Sequence, residues 1–208
     1  MEEVLDLYEK PQDSRYPLIC MDETSKQLMD DAQPPLPAKP GQIARQDYEY
    51  ERNGVCNLFM CFEPLRSRRH VEVTDQRTAV DWAHFMSEMA QVHYPDAKRI
   101  VVVMDNLNTH GPGSFYEAFA PAEAKQLAVR FEFHYTPKHG SWLNMAEIEL
   151  SALNRMCLDR RVPDKETLIR EVSAWESERN AKSATVEWRF TTDDARIKLK
   201  KLYPTISV

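Results

Sequence analysis

The sequence predicts an α/β fold, a mixed sheet with helices on its faces. Three observations carry that prediction. Apolar, strand-like runs recur at Tyr16–Met21, Val55–Phe62 and Arg99–Asp105. Between them, Gln76–Tyr94 places Trp82, Phe85, Met86, Met89 and Val92 at three- and four-residue steps, which makes one helical stripe. A block of strands is then followed by alternating helix and strand, the order that builds a sheet covered by helices. With 208 residues, 42% of them hydrophobic, the chain has the material for one compact domain.

Taken in order, residues 1–15 are polar and read as an N-terminal arm or short helix. Tyr16–Met21 reads as a strand that ends in Asp22. Residues 31–47 hold Pro34, Pro35, Pro37, Pro40 and Gly41, so an irregular excursion is expected there. Val55–Phe62 reads as a strand with His70–Val73 as its short partner, and Thr74 or Asp75 is placed to cap the helix that follows. Arg99–Asp105 is β-branched and continuous, as in a strand buried on both faces. Residues 114–128 look helical, with a break at Pro121. Arg130–Tyr135 alternates like a strand, Thr136–Gly140 is a turn, and helices are expected over Met145–Leu158 and Lys165–Asn180. The expected organisation is an arm (1–15), a core (16–160) and a C-terminal helical extension of the same domain (161–208).

The net charge of −6, taken alone, argues against a nucleic-acid partner, but it says little about local patches, and a site that binds divalent cations is itself acidic. Cys20, Cys56, Cys61 and Cys157 form no CxxC pair, which disfavours a zinc site and fits reduced, mostly buried thiols in a cytoplasmic protein. Glu2, Glu3 and Asp6 are wrong for a signal peptide, and no apolar run approaches the roughly 20 residues that span a membrane.

Asp105 is the clearest chemical signal. It emerges from a buried strand, where ligand sites form in such sheets, and Asn106, Asn108, Thr109 and His110 follow it. The bland reading is a carboxylate capping a turn. Asp22 repeats the arrangement, with Glu23 as its rival, and two carboxylates projecting from one sheet edge call for a cation between them. Glu147 has two readings. With Asn144 it has the spacing of a capping box, and Leu143 with Ile148 has that of a hydrophobic staple. It also shares a polar side of its helix with Ser151, Asn154 and Arg155, whereas the rival Glu149 shares an apolar one with Ala152, Leu153 and Met156. Carboxylates from three separate segments fit two-metal phosphoryl transfer with hard cations such as Mg²⁺. His110, His134, His139 and Lys138 lie nearby in sequence, as phosphate contacts or as support for the ligands. Arg66, Arg68, Arg69 and His70 form one basic cluster, and Arg196, Lys198, Lys200 and Lys201 another. Each is either a track for a DNA backbone or an ordinary solvated surface.

The stretches MDETSKQL (21–28), MDNLNTH (104–110), HYTPKHGSWLNMAEIELS (134–151), RRVPD (160–164) and WRFTTDDARIKLKKLYP (188–204) resemble the DDE transposases of the Tc/mariner superfamily, in its bacterial insertion-sequence branch. The resemblance runs from about residue 15 to near the end of the chain. It implies an RNase H-like fold with a five-stranded mixed sheet flanked by helices. It implies Asp22, Asp105 and Glu147 as the catalytic and metal-holding acids, Glu147 lying in the motif Leu143-Asn144-x-x-Glu147. Asp105 and Glu147 stand 42 positions apart, somewhat more than in the animal members. It further implies two Mg²⁺ or Mn²⁺ ions per active site, cleavage at transposon ends, and attack of the freed 3′-hydroxyl on target DNA. Asn108, His110, Lys138, His139, Arg66, Arg68 and Arg69 are the expected DNA contacts. A homodimer is expected by analogy, and so is a separate helix-turn-helix segment that reads the transposon ends. Two other readings stay open: an inactive remnant acting as a DNA-binding or dimerisation module, and an RNase H-like nuclease that hydrolyses without joining.

Overall fold

The computed structural model of the chain describes residues 1–45, 47–107, 109–138 and 140–203. Asn108 and His139, both expected DNA contacts, lie outside the described residues.

Strand β1 (Leu18–Asp31) runs antiparallel to β2 (Tyr50–Glu63), which runs antiparallel to β3 (Arg68–Thr74). On its other side β1 pairs in parallel with β4 (Ile100–Met104), and β4 pairs in parallel with β5 (Phe131–Tyr135). The result is a five-stranded mixed sheet in the order β3-β2-β1-β4-β5. β1 does not end at Asp22 as the apolar run predicts. It continues to Asp31, because β2 supplies a backbone partner for each residue from Met21 to Gln27 whatever the side chain is.

Alternation along the strands sorts the core into two layers. Ile19, Met21, Phe59, Cys61, Ile100, Val102 and Phe131 pack against helix α2 (Ala79–Glu88), α3 (Pro112–Ala118) and α4 (Pro121–Ala128). Leu18, Cys20, Phe62 and Val103 face the other way, toward α1 (Glu2–Tyr8), α5 (Met145–Leu153) and α7 (Thr192–Lys198). Leu58, Met60 and Val71 share that second face with α6 (Lys165–Ala181). The residues expected to form an arm thus carry a helix whose Val4, Leu5 and Leu7 are buried. Cys20, Cys56, Cys61 and Cys157 are free thiols.

Two helix details depart from the sequence pattern. α2 is capped by Thr78, in a reciprocal capping box with Asp81, because β3 extends through Thr74 and leaves Asp75 in the connection. Beyond Glu88 the helix widens into a π turn over Met89–His93. The wider turn rotates Val92 out of the predicted stripe to 66% exposure and leaves Ala90 buried in its place. No described helix is long and apolar enough to cross a membrane.

Candidate active site

Asp105 follows the last residue of β4, at the carboxyl end of the parallel strands. β1 pairs with β4 up to Cys20–Val103, so Asp22 lies two residues past that pair, level with the end of β4. Asp22 shares the sheet face of Cys20 and so points toward α5, whereas Glu23 shares the face of Met21 and points toward α2. Alternation therefore separates the two rivals onto opposite faces.

Asn144 brings the third acid to the same place. Its Oδ1 accepts the Ala146 N–H at 3.1 Å and caps α5. Its Nδ2 donates to the carbonyl of Met21 at 2.8 Å. One buried amide thus ties the first turn of α5 to the residue before Asp22, and Glu147 stands in that turn. The capping box read from the Asn144 and Glu147 spacing is not formed: the cap is made by Asn144 alone, and the Asn144 N–H donates to Ser141. Nor is the staple, since Leu143 is fully buried while Ile148 is exposed.

The electrostatics show that the acids converge. Burial, and then the charges of Asp105, Glu147 and Glu23, push the Asp22 carboxyl up to about 7, although the Glu23 N–H donates to its Oδ1 at 2.8 Å and pulls the other way. Among the described residues, no lysine or arginine pairs with Asp22, Asp105 or Glu147. Glu149, the rival third acid, is the opposite case. It is completely buried, with Arg69 Nε at 3.1 Å and Arg179 Nη2 at 2.9 Å. Its charge is already neutralised, so it has nothing to offer a metal ion.

Several expected DNA contacts are relocated. Arg69 is a structural residue: its guanidinium is buried, paired with Glu149 and bonded to Asn180 Oδ1 at 3.1 Å, so it cannot track a DNA backbone. Arg66 and Arg68 are exposed but sit at the β2–β3 hairpin. Glu63, opposite Arg68, lies beyond the Cys20–Phe62 pair, which puts this hairpin toward the amino end of β1 and away from Asp105. His110 is buried rather than offered to DNA. Its ring stacks on Trp82 with centroids 5.7 Å apart, with Nδ1 3.4 Å from Asp105 Oδ1 and Nε2 3.2 Å from Glu23 Oε2. It bridges the two faces of the strand end and steadies Asp105. Lys138 stays exposed and, with Asp105, Asn106, Thr136 and Ser141, lines a cavity of about 620 Å³. His134 is held by Glu3 at 2.7 Å and Glu132 at 3.0 Å.

Three contributors escaped sequence reasoning in these roles: Glu23 as the partner of His110 and of Arg77 (3.7 Å), the tie from Asn144 to Met21, and Arg179 as the guard of Glu149. The spacing of Asn144 to Glu147 marked the residue as a cap, but nothing local marked its tie to Met21.

The family model of the DDE superfamily endonucleases matches residues 17–169. The chain belongs to this family. The match takes in the whole sheet and the three acids, and the family is one of divalent-metal enzymes. Among solved structures, the crystal structure of the Mos1 strand transfer complex matches with a TM-score of 0.56 and 16% sequence identity, over 88% of this chain and 54% of that one. The fold is thus RNase H-like, with the five-stranded mixed sheet that the resemblance implied. The chain spans about half the length of the structure it matches, 54%. No curated protein matches it.

Proposed function

We propose that this chain is the catalytic domain of a transposase that cuts DNA at transposon ends and joins the freed 3′-hydroxyl to target DNA. The observation that carries the reading is the set of acids Asp22, Asp105 and Glu147. They come from separate elements, stand at one strand end, raise the proton affinity of Asp22, and pair with no lysine or arginine among the described residues. Like charges gathered without a counter-charge favour the capture of cations. The donor set is all oxygen, which fits Mg²⁺ or Mn²⁺. Two such ions would supply Lewis-acid stabilisation of the attacking and leaving oxygens of a phosphodiester.

The chain's own residues prepare that chemistry. Asn144 fixes where Glu147 stands relative to Asp22. His110 orients Asp105 from behind, through Nδ1. Lys138, on the wall of the cavity beside Asp105, offers an ammonium group to a DNA phosphate. Arg66 and Arg68 are too far along the sheet to share that role and would meet only DNA that runs beyond the site. Residues 16–160 form the core in this reading, with 161–208 as its extension. A bacterial insertion sequence, a homodimer that pairs two ends, a separate helix-turn-helix segment for sequence recognition, and a cytoplasmic location all belong to the same proposal.

A nicking assay with Mg²⁺ on supercoiled DNA tests the reading. Asp105→Asn should reduce cleavage by about 1,000-fold or more, the scale expected when a metal ligand essential to transition-state stabilisation is lost. Circular dichroism should show the fold unchanged. Full cleavage by a folded Asp105→Asn protein would refute the assignment. Pre-cut ends that are hydrolysed but never joined would leave a nuclease in its place.

A further inference from the structure

A second group of ligating side chains lies away from the acids. His70 on edge strand β3, Glu88 at the end of α2, and His93 in the π turn bring ligand atoms to within 4.8 Å of one another. The π turn creates the grouping. In a regular α-helix, residues five positions apart point about 140° away from each other around the axis. A π turn bonds each residue to the one five back, so it brings such a pair onto one side. His93 thereby comes to the side of Glu88, and Glu88 Oε1 stands 3.7 Å from the Nε2 atoms of both His70 and His93.

The remaining contacts leave the two Nε2 atoms free for a ligand. His93 Nε2 is buried with no hydrogen-bond partner. The His70 and His93 rings lie 4.2 Å apart at a 39° tilt, too close for two imidazolium cations to sit comfortably. His70 turns its other nitrogen, Nδ1, to Glu176 Oε1 at 3.5 Å, and Glu176 is itself pinned by the Val71 N–H at 2.9 Å from its Oε2. A carboxylate behind the far nitrogen of a histidine is the usual means of orienting a metal ligand. Tetrahedral zinc with bonds near 2.0–2.2 Å sets its ligand atoms roughly 3.3 Å apart, so only a small closure separates the observed atoms from that geometry.

We propose that His70 Nε2, His93 Nε2 and a Glu88 carboxylate oxygen form a binding site for a divalent transition-metal ion, zinc by its donor set, with Glu176 as the residue that positions His70. Imidazole nitrogens select zinc, nickel or copper over magnesium, so the site discriminates against the ion expected at the acids. A cavity of about 350 Å³ lined by His70, Glu88 and Glu176 leaves room for a water molecule as the fourth ligand. The bound ion would clamp the edge strand to the end of α2. The site does not depend on the reading of the acids as a DNA-cleaving centre.

Equilibrium dialysis of the full chain against Zn²⁺ in a large excess of Mg²⁺ tests the proposal. One equivalent of Zn²⁺ should bind, and His93→Ala should weaken it about 100-fold, whereas Asp105→Asn should leave it unchanged. Glu176→Gln should weaken it about tenfold, as expected for a residue that orients a ligand. If His93→Ala disturbs the helix by circular dichroism, His93→Gln and the visible absorption of bound Co²⁺ serve instead, with the tetrahedral spectrum expected only in the unsubstituted protein. Failure to bind Zn²⁺ under excess Mg²⁺, or equal binding by the His93 variants, would overturn the proposal.

Discussion

Two carboxylates on one helix, two positions apart, live in opposite circumstances. Glu149 is buried and flanked by Arg69 and Arg179. Glu147 is half-exposed and stands near Asp22, with no lysine or arginine paired to it among the described residues. The difference comes from the α5 geometry, which turns neighbouring acids to different sides. One side meets the end of the sheet, and the other meets α6 and the edge strand. A charge that is already matched holds the fold together, whereas a charge left unmatched beside others of its own sign is available to a cation.

Exchanging the two acids for their amides is the strongest way to break this comparison. Glu147→Gln should lower Mg²⁺-dependent cleavage by about 1,000-fold with little change in melting temperature. Glu149→Gln should keep most of its activity per folded molecule while losing about 3–5 kcal/mol of stability, because two arginines are left without their buried counter-charge. Denaturant unfolding and nicking assays on both variants check the pair, and the reverse assignment of losses would break it.

The next effect sharpens the comparison by asking what places Glu147. Asn144→Ala removes both the cap and the tie to Met21, which should cost about 1–3 kcal/mol. Cleavage should also fall, and raising Mg²⁺ should restore part of it, a rescue that a purely structural loss would not show. The smallest effect concerns protons. The Asp22 carboxyl sits near pH 7 in the folded metal-free protein, well above its ordinary value of 3.8. The folded state therefore binds the extra proton, and this contribution to stability is full at low pH and is lost as pH rises through about 7. Cations compete with that proton. Mg²⁺ affinity measured by calorimetry should rise with pH and level off above about 7, with up to one proton released per site at lower pH. Asp22→Asn should flatten the dependence.

Much of this was legible in the sequence, and the exceptions have a common cause. The buried run of β4 announced Asp105, Pro121 divided α3 from α4, and the α5 and α6 patterns sit where expected. These are local signals. The extension of β1 past Asp22 depends on β2, some 30 residues away, which supplies backbone partners to a polar segment. The basic run around Arg69 reads as surface, and only the arrival of Glu149 and Asn180 makes Arg69 interior. The bland reading of Glu147 as half of a capping box fails because the Asn144 N–H donates to the Ser141 carbonyl and its Oδ1 takes the Ala146 N–H, partners that the spacing alone does not reveal. Val92 left the apolar stripe because a π turn has no signature in spacing alone.

In the proposed enzyme Asp22, Asp105 and Glu147 share cations at one end of the sheet. Crystals grown with Mn²⁺ and measured at a wavelength where manganese scatters anomalously test it most directly. Anomalous density should appear among these three side chains, and none beside Glu149. A clean map of the ordered site with no manganese among the three acids would contradict it.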